Sequence, residues 1–245
     1  MTGLISKLKK IFKADTYKKL IITINEIKTL PKLEINLSSG FAEGIKMYKY
    51  FTGMHPRYLI FKNKTIGLAI IDCSNYPDFP NYLKSVNGKN SAAYYTRRCT
   101  KMGYTTKKIN PNLFQEQILN INLSAETRQG KKMSDNYQIK LDYPINEFHY
   151  YWGVFKEDEL VSYCWIKKNG ELRLMNRLLA HADHMSDGVM YKMLVDAIEY
   201  EFIQRKSQDD KLYIMYDTFF GAGDGLKLFK RRLGFKAYKV KWTLT

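Results

Sequence analysis

Two periods organise the apolar positions of this chain. Leu4, Leu8, Ile11 and Phe12 recur at helical spacing with Lys7, Lys9, Lys10 and Lys13 between them, which predicts a basic amphipathic helix over residues 3–14. Tyr58–Asp72, YLIFKNKTIGLAIID, holds two apolar runs about an Asn-Lys turn and reads as a β-hairpin. Ser91–Tyr104 reads as a helix that stops at Gly103 before an aromatic residue. Phe114–Ile121 is helical by spacing and leads into a polar loop over residues 122–137, NLSAETRQGKKMSDNY.

The second half is more regular. Tyr151–Ile166 predicts a hairpin, Glu171–Leu179 a strand, Val189–Arg205 a long helix, Lys211–Asp217 a strand, Leu226–Leu233 a short basic helix, and Phe235–Trp242 a closing strand. This order predicts a mixed α/β domain over 150–245, preceded by an α/β region over 1–149. YYTRRCTKMGY near residue 100 and LFKRRLGFKAY near the C-terminus echo one another, each a basic helix broken by glycine before an aromatic strand.

Composition narrows the chemistry. Cys73, Cys99 and Cys164 are odd in number and widely spaced, so they read as reduced thiols, and the expected compartment is cytoplasmic. The four histidines show no metal-ligand spacing, so no metal is expected. The apolar runs are too short to span a membrane, and Lys7, Lys9 and Lys10 interrupt the only stretch resembling a secretory leader. A net charge of +16 favours polyanionic partners: nucleic acid, anionic lipid, or a phosphorylated cofactor such as coenzyme A. A lysine-rich solvated surface accounts for the same number.

Over Tyr150–Leu244, the order hairpin, strand, loop, long helix, strand, short helix ending LGF, and final strand resembles the GNAT superfamily of N-acetyltransferases. The resemblance implies a mixed, mainly antiparallel sheet flanked by helices. In it Glu171–Leu179 and Lys211–Asp217 splay apart around acyl-CoA, with acetyl-CoA as cofactor and donor to an amine acceptor. It further implies that the backbone at Leu178 and Leu179 meets the pantetheine. Ser186, Asp187, Gly188, Val189 and Met190 would receive the pyrophosphate at a helix N-terminus, with Ser186 or Asp187 as cap, and Lys227, Lys230 and Arg231 would lie near the phosphates.

FKRRLGF is also similar to the Fem-type acyltransferases, which take aminoacyl-tRNA and carry two tandem GNAT-like halves. On that likeness the N-terminal region is a degenerate second half. Two departures stand out. Of the family's phosphate loop only Gly188 matches, and the tyrosine acid often found four residues before the glycine of LGF is replaced by Lys230. A proton donor is then sought in Tyr216, Tyr191 or a histidine.

Acyl transfer needs a base for the attacking amine and donors for the oxyanion. His181, Asp183 and His184 cluster in AHADH and are candidates, as is Asp217 at the end of the following strand; each residue also suits simple turn formation. Arg128 and Tyr137 are candidate acceptor contacts, with a solvated loop charge the plain reading of Arg128. The acceptor classes the charge suggests are nucleic acid or a sugar- or lipid-linked intermediate, with membrane-surface contact through the first helix. A basic, non-enzymatic nucleic-acid-binding protein on the same fold is the alternative.

Overall fold

The computed structural model describes residues 25–56, 62–128, 131–205, 207 and 210–245. The expected helix over 3–14 and the first run of the expected hairpin, Tyr58–Phe61, lie outside these residues. Chain order runs β1 (Lys32–Leu37), α1 (Ala42–Thr52), β2 (Ile66–Asp72), α2 (Phe79–Ser85), α3 (Ala92–Lys101), β3 (Tyr104–Ile109) and α4 (Gln115–Leu123). A small ribbon, β4 (Thr127–Arg128) with β5 (Lys131–Lys132), interrupts the polar loop. Then follow β6 (His149–Lys156), β7 (Glu159–Asn169), β8 (Leu172–Ala180), α5 (Val189–Gln204), β9 (Tyr213–Thr218), α6 (Asp224–Arg232) and β10 (Lys236–Leu244).

Eight of these strands form one sheet in the order β1-β10-β2-β9-β8-β7-β6-β3. Five of the seven pairings are antiparallel; β1–β10 and β8–β9 are parallel. The fold class is therefore the expected mixed, mainly antiparallel α/β sheet.

One expectation is corrected by the strand order. The boundary expected between residues 149 and 150 does not separate two cores. β2, an N-terminal strand, lies between β9 and β10. Its residues Ala69 and Ile71 pack in the same cluster as Met175, Val195 and Ile214. Ile66–Asp72 accordingly pairs with β9 and β10. Its apolar run from residue 66 to residue 71 suits a strand buried on both faces.

Burial divides the molecule into three clusters. On one face α2, α3 and α5 pack against the sheet in the largest cluster, with Tyr82, Cys99, Val189, Leu194, Ile198 and Leu233 fully buried. On the other face α1 covers β1, β10, β2 and β9 through Phe51, Leu68, Ile70 and Trp242. α4 and the loop after it cover β6, β7 and β8 through Ile118, Ile121, Tyr143, Tyr151 and Tyr163. The division between these last two clusters falls within β8, between Leu174 and Leu179.

The echoing sequences have the same local structure. α3 ends in Gly103 at φ +83° and feeds β3; α6 ends in Gly234, also at φ +83°, and feeds β10. Glycine adopts this left-handed conformation without a Cβ penalty, so each basic helix can stop abruptly and turn into a strand. Both helices flank the start of α5: Tyr95 of α3 stacks on Tyr191 at 4.9 Å, and Tyr191 meets Phe229 of α6 at 4.6 Å.

Candidate active site

β8 and β9 pair only at Leu172–Tyr213, Arg173–Ile214 and Leu174–Met215 and then separate. Each strand carries a bulge at the point of separation. On β8 the register slips at Asn176, between Met175 opposite Ile166 and Arg177 opposite Trp165. On β9 it slips at Tyr216–Asp217, between Met215 opposite Ile70 and Thr218 opposite Leu68. A bulge adds a residue to one strand and bends it, so two bulges on facing strands open a seam. Beyond Leu174 the edge of β8 that faces β9, which includes Leu178 and Leu179, pairs with no strand among the described residues.

This is a GNAT-type fold. FemX aligns with 70% of the chain at 9% identity, covering 59% of FemX with a TM-score of 0.51. A C-terminal domain described as that of a lysylphosphatidylglycerol synthetase from Agrobacterium fabrum aligns with 71% of the chain at 12% identity, covering 58% of that domain with a TM-score of 0.48. A tandem GNAT protein from the clavulanic acid biosynthesis pathway covers 71% of the chain and 51% of its own length at 14% identity, with a TM-score of 0.44. The chain thus spans between half and three fifths of these proteins. No protein-family model and no curated protein matches the sequence.

At the mouth of the GNAT seam, beside β9, stands Lys230. Its side chain is 1% exposed, although Arg231 and Lys227 beside it reach the surface. Burial thus sets Lys230 apart from Lys227 and Arg231, with which it was expected near a cofactor's phosphates. Leu226, Lys230 and Leu233 share the inner face of α6, so helical spacing carries Lys230 inward. Its ammonium donates to the Thr218 carbonyl at 2.8 Å and lies 4.7 Å from the centre of the Tyr216 ring. Burial drives its pKa down to about 8; Asp217 opposes the shift and Lys64 adds to it.

Asp217 adjoins Lys230. It holds φ +50°, a left-handed conformation that is rare for a residue with a side chain, and its carboxylate is paired with Lys64. Tyr216, Asp217, Thr218, Phe220, Leu226 and Lys230 line a cavity of about 290 Å³ here. Burial raises the Tyr216 hydroxyl far above its ordinary range, and Asp217 and Tyr137 add to the rise. Tyr216 is therefore a firmly protonated phenol.

The loop that was expected to receive phosphate joins β8 to α5. Ala182–Asp187 forms a 3-10 turn, and Gly188, at φ +90°, is the N-cap of α5, with no capping bond from Ser186 or Asp187. A Cβ on Gly188 would lie 2.8 Å from Tyr95, so the Tyr95 side chain of α3 fills the space that a side chain would take at this glycine. Val189 is fully buried and Met190 packs against the same core. The Asp187 carboxylate accepts from Tyr104 at 2.6 Å and pairs with Arg98 at 3.6 Å, while the Cys99 thiol donates to the Asp187 carbonyl at 3.0 Å. Lys227 pairs with Asp224 and, with Arg231, borders a separate cavity of about 560 Å³ under α6.

The histidine cluster is drawn to the side of β8 away from β9. His184 Nδ1 lies 2.7 Å from the Tyr104 hydroxyl, and Tyr104 opens β3, three places from β8 in the sheet. A phenol has one proton to donate, and the Asp187 carboxylate takes it. His184 must then donate Nδ1–H to the Tyr104 oxygen, which fixes its tautomer. His181 accepts from the Asp183 amide at 3.4 Å, and the exposed Asp183 carboxylate is 3.7 Å from its ring nitrogen. Among the described residues no hydrogen bond or ion pair joins these three to Asp217 or Lys230.

Arg128 is also corrected. Its guanidinium does not wait in solvent for an acceptor. It donates to the Ala180 carbonyl at 2.9 Å, to the Ile121 carbonyl at 2.7 Å and to the Ser124 hydroxyl at 3.2 Å. It staples the end of β8 to the end of α4. Tyr137 lies in the loop over the seam's other face, its ring 4.4 Å from the guanidinium carbon of Arg177. Sequence reasoning passed over Arg177, Lys64 and Tyr104. Among the described residues no group of three or more metal-ligating side chains occurs, and no helix is long and apolar enough to cross a membrane. All three cysteines are buried and free.

Proposed function

We propose that the protein transfers an activated acyl group to an amine at the β8–β9 seam, and that the donor is an aminoacyl ester carried on tRNA. The observation that carries the transfer reading is the buried Lys230 ammonium at the mouth of two strands that part. Nucleophilic attack on an acyl carbonyl places negative charge on the carbonyl oxygen and then on the leaving oxygen. A preorganised cation in a site shielded from water stabilises either charge. The amine loses one proton as the new C–N bond forms, and the Asp217 carboxylate at the same mouth accepts it. Collapse expels the leaving oxygen, which takes a proton in turn from the Lys230 ammonium; the proton on Asp217 returns through solvent and closes the cycle.

The choice of donor rests on the phosphate loop. Coenzyme A would bring its pyrophosphate to the first turn of α5, where Tyr95, the Asp187 carboxylate and buried Val189 stand. An aminoacyl ester needs only the seam and a cationic surface beside it. The likeness of FKRRLGF to the Fem-type enzymes supports the same donor. Acetyl-CoA remains the rival, favoured by the unpaired edge of β8. Isothermal titration separates the two: a minihelix RNA bearing a non-hydrolysable 3′-aminoacyl amide binds, and acetyl-CoA at millimolar concentration does not. Acetyl-CoA binding without RNA binding would reverse the choice.

A further inference from the structure

The face of the seam covered by α1 and α4 holds a positive charge that no ion pair neutralises among the described residues. Arg177 follows the β8 bulge and lies opposite Trp165. Its terminal nitrogen Nη1 is buried with no hydrogen-bond partner, as is Nε of Arg128 on the same side of the sheet. Neither arginine takes part in any ion pair among the described residues. The groups around Arg177 are neutral: the Tyr137 ring lies against it, and the hydroxyls of Tyr143 and Tyr163, whose burial-driven rise its charge and hydrogen bonding oppose, engage part of the guanidinium and leave Nη1 free.

Arg128 spends its remaining donors on two carbonyls and a hydroxyl, so Arg177 is the one with capacity to bind. Burying a guanidinium without a counter-ion is costly, and the cost falls when a ligand supplies the opposite charge in the planar geometry the fork accepts. Arg177 is partly exposed, and a cavity opens at the residue before it in the strand. A cavity of about 380 Å³ between α1 and β8 is lined by Glu43, Lys46, Met47, Lys167, Leu174 and Asn176, and Asn176 is the residue before Arg177. The carboxylate in that cavity, Glu43, is engaged by His149 at 3.0 Å. Lys167, whose ammonium lies over the Trp165 ring at 4.7 Å, adds a second cation.

We propose that Arg177 anchors a carboxylate or phosphate group on the acceptor, so that the acceptor enters from the α1–α4 face and presents its amine to the seam. This rests on the acyl-transfer reading and adds the class of acceptor: an amine that carries an anionic group. Lys230 serves the acyl group from the opposite face, so donor and acceptor meet through the sheet.

The test is thermal unfolding of the whole chain with inorganic phosphate or acetate, each against chloride at equal ionic strength. One of the two anions raises the midpoint of the wild-type protein above the chloride control. Arg177→Gln weakens its apparent affinity at least tenfold, and Arg177→Lys keeps part of it. Phosphate selectivity identifies a phosphorylated acceptor, acetate selectivity a carboxylate. No anion-specific shift, or a shift that survives in Arg177→Gln, overturns the proposal. If the glutamine variant does not fold, the arginine Nε–H resonances of the wild-type protein supply the answer: the Arg177 signal moves with the anion, and an unmoved signal counts against the site. Arg177-dependent anion binding in a protein that transfers no acyl group would sink the transfer reading and leave this site standing. Transfer whose acceptor KM is unchanged in Arg177→Gln would do the reverse.

Discussion

Lys230 donates its ammonium proton to the main-chain carbonyl of Thr218 at 2.8 Å, tying the last helix to the end of the strand that departs from β8. The bond places a cation of lowered pKa beside the opening, with Asp217 and Lys64 as its charged neighbours. Replacing Lys230 with methionine keeps the length of the side chain and removes the charge. Turnover is expected to fall about 100- to 1,000-fold, the usual loss for one preorganised oxyanion donor. Donor affinity measured by titration should change far less. A variant that loses affinity and keeps turnover at saturation would move Lys230 out of the chemistry.

The same residue predicts a pH limb. With its pKa near 8, Lys230 loses its charge as the solution becomes alkaline, so transfer is expected to fall as pH rises through about 8. Stability moves the other way. The folded-state pKa lies below the unfolded value, so the unfolded chain binds more protons between about 8 and about 10.5, and stability rises with pH across that window. Midpoints of wild type and Lys230→Met, taken at pH 7 and at pH 10, check the sign: wild type gains on the variant at the higher pH.

Gly188 is the position where a cofactor-loop test and a folding test coincide. Its φ of +90° and the Tyr95 ring 2.8 Å from any Cβ both oppose a side chain. Gly188→Ala is expected to cost about 1–3 kcal/mol or more, and Gly188→Asp does so whatever the loop binds. The informative variant is Tyr95→Ala, which clears the approach. Acetyl-CoA affinity that rises on this change would support the account of an occluded loop. Unchanged affinity would mean that Tyr95 is not what keeps coenzyme A out.

His184 and Arg128 are expected to act on stability. His184→Ala removes the imidazole that donates to the Tyr104 hydroxyl at the start of β3, and Arg128→Met removes the guanidinium from the carbonyls of Ala180 and Ile121, the second of which keeps the Ser124 hydroxyl as a donor. The second change should cost about 1–3 kcal/mol, since it removes charged hydrogen bonds from the ends of β8 and α4. Turnover in His184→Ala should stay within about threefold of wild type while the protein is folded. A hundredfold loss at unchanged stability would return the histidine cluster to the reaction.

Much of the second half was legible because its signals are local. The hairpin, β8, α5, β9, and the α6–Gly234–β10 unit each follow from a period of two or 3.6 and a glycine stop, and the structure shifts their ends by only a few residues. The insertion of β2 between β9 and β10 was not legible, because strand order depends on pairings far apart in the chain. Nor was the cover over Gly188: a loop that reads as an open phosphate seat is filled by Tyr95, ninety-odd positions earlier. Lys230 looked like one of four cations on a basic helix until its spacing from Leu226 and Leu233 is weighed. Arg177 gave no signal, since a polar residue in an alternating strand reads as solvent-facing unless a distant loop, here around Tyr137, closes over it.

The most direct test of the account is single-turnover transfer of a labelled acyl group, from purified aminoacyl-tRNA and in parallel from acetyl-CoA, to a panel of amines with and without a carboxylate or phosphate. The account predicts transfer from aminoacyl-tRNA to an anionic amine, reduced about 100-fold or more in both Lys230→Met and Asp217→Asn. Folded wild-type protein that transfers from neither donor, or at a rate indifferent to both substitutions, would contradict it.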